Sequence, residues 1–134
     1  RTQARVAMLA CGIGITPLRA LLEDLDYLPG EAVLVYRARN ERDLVFRAEL
    51  DQLAAERGIA VHYLVGHRLR GRTSWLPEDL SHLSDVQALH RMVPGLQDHD
   101  VFVCGPDPWM DTVCAAALAA GLPSTQLHQE RFTW

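Results

Sequence analysis

Four short apolar runs punctuate the chain: Val6-Ala7-Met8-Leu9, Ala32-Val33-Leu34-Val35, Val61-His62-Tyr63-Leu64-Val65 and Val101-Phe102-Val103. Each is mostly continuous rather than alternating, which suits strands covered on both faces and predicts a parallel sheet. Helical periods lie between them. Leu18, Leu21, Leu22, Leu25 and Leu28 fall at i, i+3, i+4, i+7 and i+10, and Phe46, Leu50, Leu53 and Ala54 keep one face apolar. A third helix is predicted from Asp107-Pro108, a cap residue followed by Pro at the first helical position, through Met110, Val113, Cys114, Ala117 and Leu118 to Gly121. Gly30 and Gly58 stand where they would close the first two helices. A last run from Gln126 to Phe132 supplies a fifth strand. Strand and helix alternating, with right-handed crossovers, predict an α/β fold: an open, doubly wound, five-stranded parallel sheet with helices on both faces. From His67 to His99 the pattern breaks at Gly71, Pro77, Pro94 and Gly95, and only Ser84-Asp85-Val86-Gln87 reads as a capping box before a short helix.

At 134 residues, 49% hydrophobic and 22% charged, the chain has the size and composition of one folded domain, expected to span residues 1–134. The formal net charge of −4 gives no reason to expect a nucleic-acid partner. All 13 basic residues are Arg. Without Lys, the phosphate loop of nucleotide hydrolases, Schiff-base catalysis and the kinase strand lysine are all excluded. Cys11, Cys104 and Cys114 are an odd set with no close pairing, which argues against a disulfide scaffold. The six His have no paired ligand spacing, so no metal is expected. No apolar run approaches the roughly 18–20 residues of a membrane span, and direct membrane contact from this segment is not expected. The abrupt start, strand-like by position 5, reads as a domain cut from a longer protein.

The first strand runs into Ala10-Cys11-Gly12-Ile13-Gly14-Ile15-Thr16-Pro17, a glycine turn before a helix with Thr16 as cap and Pro17 as first residue. Glycines let a pyrophosphate approach the main chain, and a helix N-terminus supplies free N–H donors and partial positive charge. The same turn could serve compact strand-to-helix packing alone. The usual dinucleotide fingerprint has Gly where Pro17 stands and an acid at the end of the second strand, which here ends Tyr36-Arg37-Ala38-Arg39. Gly-Ile-Gly-Ile-Thr-Pro is a different signature. Together with Cys104-Gly105-Pro106 after the fourth strand, then Asp107-Pro108-Trp109-Met110, it resembles the nicotinamide domain of the ferredoxin-NADP reductase superfamily. Within it, the chain resembles bacterial ferric-reductase-like and oxygenase-reductase proteins. The second strand with Asp43 to Leu50 is similar to the same family, as is the carboxyl end from Leu127 to Trp134, so the resemblance covers nearly the whole chain. Cys11, where the family commonly has Gly, and the bulky Trp109 depart from it.

That resemblance implies a Rossmann-like NAD(P)-binding module of a flavin-dependent reductase. It would position nicotinamide for hydride transfer to FAD, FMN being the lesser alternative, with electrons passing on to iron, heme or an iron-sulfur acceptor. Cys104 and Glu130 would be its catalytic residues. Gly12, Ile13, Gly14, Thr16, Pro17, Gly105, Pro106, Asp107, Met110 and Phe132 would contact the cofactor. From the residues alone, Cys104 reads equally as a buried small hydrophobe and Glu130 as a charged strand edge. Arg68 and Arg70 after the third strand, with Arg37 and Arg39 nearby, collectively favour NADPH over NADH, since a 2′-phosphate calls for an Arg fork, although a solvated basic loop is an equal reading of either loop Arg alone. The family's flavin-binding β-barrel has no counterpart in this chain, so the flavin domain of the same parent chain and a downstream acceptor are the expected partners. The expected location is cytoplasmic, on that side of the membrane if the parent is membrane-embedded. The alternative class is a nucleotide-binding or interaction module without turnover.

Overall fold

The computed structural model describes residues 1–131. Among these residues the strands and α-helices follow in the order β1 (Arg5–Cys11), α1 (Ile15–Asp24), β2 (Ala32–Ala38), α2 (Arg47–Arg57), β3 (Ala60–Val65), α3 (Asp85–Met92), β4 (His99–Cys104), α4 (Asp107–Ala119) and β5 (Leu127–Gln129). All strand pairs are parallel, in the order β3-β2-β1-β4-β5. The predicted doubly wound sheet is therefore present. Alternate strand residues feed two cores. Val6, Met8, Ala10, Leu34, Tyr36, Phe102 and Cys104 pack with Ile15, Leu18 and Leu22 of α1 and Leu50 of α2. Ala7, Leu9, Val33, Val35, Val101 and Val103 pack with α3, α4 and the fully buried Trp75 and Leu76.

Helix boundaries depart from expectation in three places. α1 starts at Ile15 because the 3-10 turn Gly12–Gly14 already winds the chain, so Thr16 and Pro17 lie inside the first turn and Gly14 holds the cap position without a side-chain cap. Pro17 is tolerated there because a first-turn residue needs no N–H partner. α1 then ends at Asp24, and Leu28 is 68% exposed. Pro29 disfavours helix at Leu28. The free carbonyls of Leu22, Glu23 and Leu25 take N–H bonds of 2.6, 3.0 and 2.9 Å from Arg57, which also lies over the Tyr27 ring. Gly30 instead forms a turn at φ +85°, its N–H donating to Gly58 O. At α4, Pro106 occupies the cap position and Asp107 is already helical.

Gly58 and Gly121 do terminate α2 and α4 in left-handed conformations, φ 67° and 102°. Phe46, expected on the helical face, precedes α2 at φ 63°. The 67–99 stretch holds α3, and its predicted capping box is complete: Ser84 Oγ accepts from Gln87 N at 3.0 Å and Gln87 Oε1 from Ser84 N at 2.9 Å.

His99, buried at the start of β4, hydrogen-bonds Gly95 O through Nδ1 at 2.8 Å. Burial holds its pKa below the ordinary 6.5. The unfolded chain therefore takes up that proton first, so stability contributed by neutral His99 is complete above 6.5 and falls as pH drops below it. Urea unfolding should give lower stability at about pH 5.5 than at about pH 7.5, with a smaller difference in His99→Gln. Equal pH dependence in both chains contradicts this assignment.

Candidate functional site

The strand order changes direction between β1 and β4. From β1 the chain crosses to β2 on one side, and from β4 it crosses to β5 on the other. In open α/β sheets such a switch leaves a crevice at the carboxyl ends of the two strands, where ligands bind. Two turns meet there. A Cβ added to Gly14 would lie 2.0 Å from Cys104 O, and one added to Gly105 would lie 2.9 Å from both Cys11 Cβ and Trp109 Cε3. The sequence-predicted turns thus touch backbone to backbone, and only glycine permits it.

Around this contact the N-terminus of α1 carries no side-chain cap and no acid in its first turn, with Thr16 exposed and Ile13 51% exposed. Gly12, at φ +58°, has open space where a Cβ would project. An uncapped, exposed helix start suits an anionic diphosphate. The start of α4 is also without a side-chain cap, but Asp107 is paired with Arg131 at 2.6 Å.

Cys104 ends β4 and is 1% exposed, its side chain packed into the α1 side of the core. Burial pushes its thiol pKa up, and Glu130 adds to that. Cys11, partly exposed, is pushed up to about 11 by burial, with Arg37 opposing. Neither thiol is a nucleophile at neutral pH. Glu130 is exposed and donates its N–H to Val103 O at 2.9 Å, extending the β5 ladder toward Cys104. Met110, expected against the cofactor, is fully buried in the α3/α4 core. Phe132 lies outside the described residues. Among the described residues no group of three His, Cys, Asp or Glu could hold a metal ion, and no helix is long and apolar enough to cross a membrane.

The arginines divide. Register places Cys11, Arg37 and Leu64 in one row across β1, β2 and β3. Arg37 follows Val33 and Val35 on the same face, and that period of two is the signal that it points inward. It is 7% exposed, with Nη1 donating to Ala38 O at 2.5 Å and Leu64 O at 3.5 Å. Arg39 is exposed, its Nε 3.4 Å from His67 Nδ1. Arg68 and Arg70 are exposed on the loop after β3, where Glu78 N donates to His67 O. Arg72 is tied into that loop by Ser81 O and Leu83 O at 3.1 and 2.5 Å. Trp109, the bulky departure, donates Nε1 to Trp75 O at 3.1 Å and so anchors the 67–84 stretch beside the turn after β4. The sequence offered only the presence of Trp as a hint of that role.

The oxidoreductase NAD-binding domain family matches residues 8–115. The ferredoxin reductase component of 3-ketosteroid-9-alpha-monooxygenase from Rhodococcus rhodochrous is 32% identical over 129 residues, covering 93% of this chain and 33% of that protein. Oxidoreductase NdmD of Pseudomonas putida is 31% identical over 134 residues, covering 99% of this chain and 20% of that protein. The chain therefore spans a third or less of these curated relatives. Among solved structures, the flavohem-like FAD/NAD binding domain of nitric oxide dioxygenase from Vibrio cholerae superposes with a TM-score of 0.69 at 22% identity, over 98% of this chain and 52% of that one, a likeness of fold. With the paired glycine turns at the β1/β4 switch and a family match over most of its length, this chain belongs to the oxidoreductase NAD-binding domain family, the nicotinamide-binding domain of the ferredoxin-NADP reductase superfamily.

Proposed function

We propose that this chain is the nicotinamide-binding half of a flavin-dependent reductase, and that the meeting of the Gly12–Gly14 and Cys104–Pro106 turns beside an uncapped helix start carries that reading. The N-terminus of α1, with Gly12, Ile13, Thr16 and Pro17, holds the diphosphate. Gly105, Pro106 and Asp107 border the nicotinamide end, with Glu130 beside them. Cys104 acts from beneath, packing under the turn rather than presenting an ionised sulfur. When bound, the nicotinamide supplies a hydride to a flavin held by another domain of the parent chain. This chain's share is to bind, orient and exclude water, since positioning is the protein's contribution in cofactor enzymes. Arg37, Arg39, Arg68 and Arg70 favour NADPH. Iron, heme or an iron-sulfur protein receives the electrons, and the reaction takes place on the cytoplasmic side.

Calorimetric titration of the 134-residue chain with NADP⁺ tests the reading. Half a cofactor site should bind weakly, with Kd between about 0.1 and about 1 mM, and the purified chain should carry no flavin. Purification with stoichiometric FAD, or no heat of binding at about 10 mM nucleotide, defeats it.

A further inference from the structure

The 67–84 stretch is a strap across the carboxyl ends of the strands. Where it leaves β3, Gly66 N–H donates to Ala38 O at the end of β2, at 3.1 Å. Farther along, Trp75 O accepts the Nε1–H of Trp109 beside the turn after β4, at 3.1 Å, and β1 lies between those two strands. The strap is stiff. Arg68 and Pro77 form an antiparallel bridge and Glu78 N–H donates to His67 O at 2.9 Å, so Arg68 lies across from a segment two residues past Trp75. Trp75 is fully buried and donates its Nε1–H to Asp85 O at 3.2 Å, while Leu76 N–H donates to Ser74 Oγ at 3.1 Å.

Trp109, half-buried, joins this strap to the turn that borders the crevice. Its indole is one rigid plane with two opposite edges engaged. Nε1 holds Trp75 O, and across the ring Cε3 packs on the bare α-carbon of Gly105, where a Cβ would lie 2.9 Å away. Cys11 Cβ, on the last residue of β1, closes on the same glycine at the same 2.9 Å. Gly105 is therefore gripped between β1 and the indole. Among the described residues no other hydrogen bond links the strap to the turn after β4 or to α4. A displacement at Arg68 passes through the bridge to Trp75 O and through a plane that cannot bend to Gly105, because close-packed groups transmit strain.

We propose that Trp109 is a positioning residue that couples the two ends of the cofactor crevice: a nucleotide settling against the strap on the adenosine side draws the Gly105–Pro106 turn into place for the nicotinamide. The inference rests on the nicotinamide-domain reading and deepens it by naming the residue that makes the two halves of the site act together. Such coupling gives the whole dinucleotide an affinity beyond that of its adenosine half, since the second half meets a turn already in place.

The test measures binding of AMP, the half shared by NAD⁺ and NADP⁺, and of whichever dinucleotide the chain binds more tightly. Trp109→Phe keeps a ring against Gly105 and loses the N–H. Incorporating β-(3-benzothienyl)alanine at position 109 keeps the full ring shape and removes the N–H alone, which decides the matter if the Phe variant does not fold. Either change should weaken the dinucleotide by about 3- to 10-fold, the worth of one hydrogen bond, and alter AMP by less than about twofold. With 5-fluorotryptophan in the chain, the fluorine resonance missing from either variant belongs to Trp109, and it should move when AMP, which carries no nicotinamide, saturates the unsubstituted chain. Equal weakening of AMP and the dinucleotide, weakening of neither, AMP that does not bind where the dinucleotide does, or a Trp109 resonance that saturating AMP leaves in place overturns the proposal. Failure of the unsubstituted chain to bind any of the three nucleotides overturns the nicotinamide-domain reading itself.

Discussion

Gly14→Ala should lower the stability of this domain by at least about 3 kcal/mol and remove nucleotide binding with it. The added methyl would sit 2.0 Å from Cys104 O, 2.4 Å from Cys104 C and 2.8 Å from Gly105 N. All three are backbone atoms at the end of a central strand, and Cys104 is held in register against Ala10 of β1. No side chain can swing aside to make room. Either α1 or the turn after β4 must move, and both border the crevice. For a chain of this length the loss corresponds to a fall in melting temperature of at least about 10 °C. Gly12→Ala is the matched control. It has open space for its methyl and strains only a backbone at φ +58°, so it should cost about 1 kcal/mol. Melting within about 3 °C of the parent chain for Gly14→Ala would mean that the two turns separate freely and do not define the crevice.

Asp100→Ala should cost about 3–5 kcal/mol, by a different route. The Asp100 carboxylate, fully buried near the amino end of β4, accepts N–H bonds from Thr2 and Gln3 at 2.6 Å each, the Thr2 hydroxyl at 3.1 Å and His128 Nε2 at 2.9 Å. Removing it strands two backbone donors and releases the segment leading into β1 from the β4/β5 edge. Burial alone would raise the carboxyl pKa, but the bonds from His128, Gln3 and Thr2 together hold it below its ordinary 3.8. With the folded value depressed, this stabilisation is complete above 3.8 and is lost as pH falls through the folded value. Thermal unfolding at neutral and acid pH checks both statements. The parent chain should lose the advantage over Asp100→Ala only under strongly acid conditions. A variant as stable as the parent at neutral pH would show the carboxylate to be dispensable.

Both effects depend on contacts that the chain alone conceals. Gly14 belongs to a turn that is legible, because Gly-x-Gly between an apolar run and a helical period is a local pattern. Its contact with Cys104, some ninety positions on, is not local and carries no sequence signal beyond the two motifs themselves. Asp100 begins an apolar run and reads as a polar flank. Only the return of β5 beside β4, bringing His128 against it, and the arrival of Thr2 and Gln3 turn it into a clamp.

The sequence by itself determined the parallel α/β architecture, the two glycine turns and the helix ends at Gly58 and Gly121, because each follows from side-chain period or from a backbone conformation that few residues adopt. Tertiary structure decided the strand order, the closure of α1 by Arg57 rather than Gly30, and the 67–84 stretch folded over Trp75 and Trp109. It also decided the burial of Arg37. Local propensity acts over a few residues, whereas which strand lies beside which, and hence which charge is sealed in and which carbonyl is left free, is set by contacts between positions far apart in the chain.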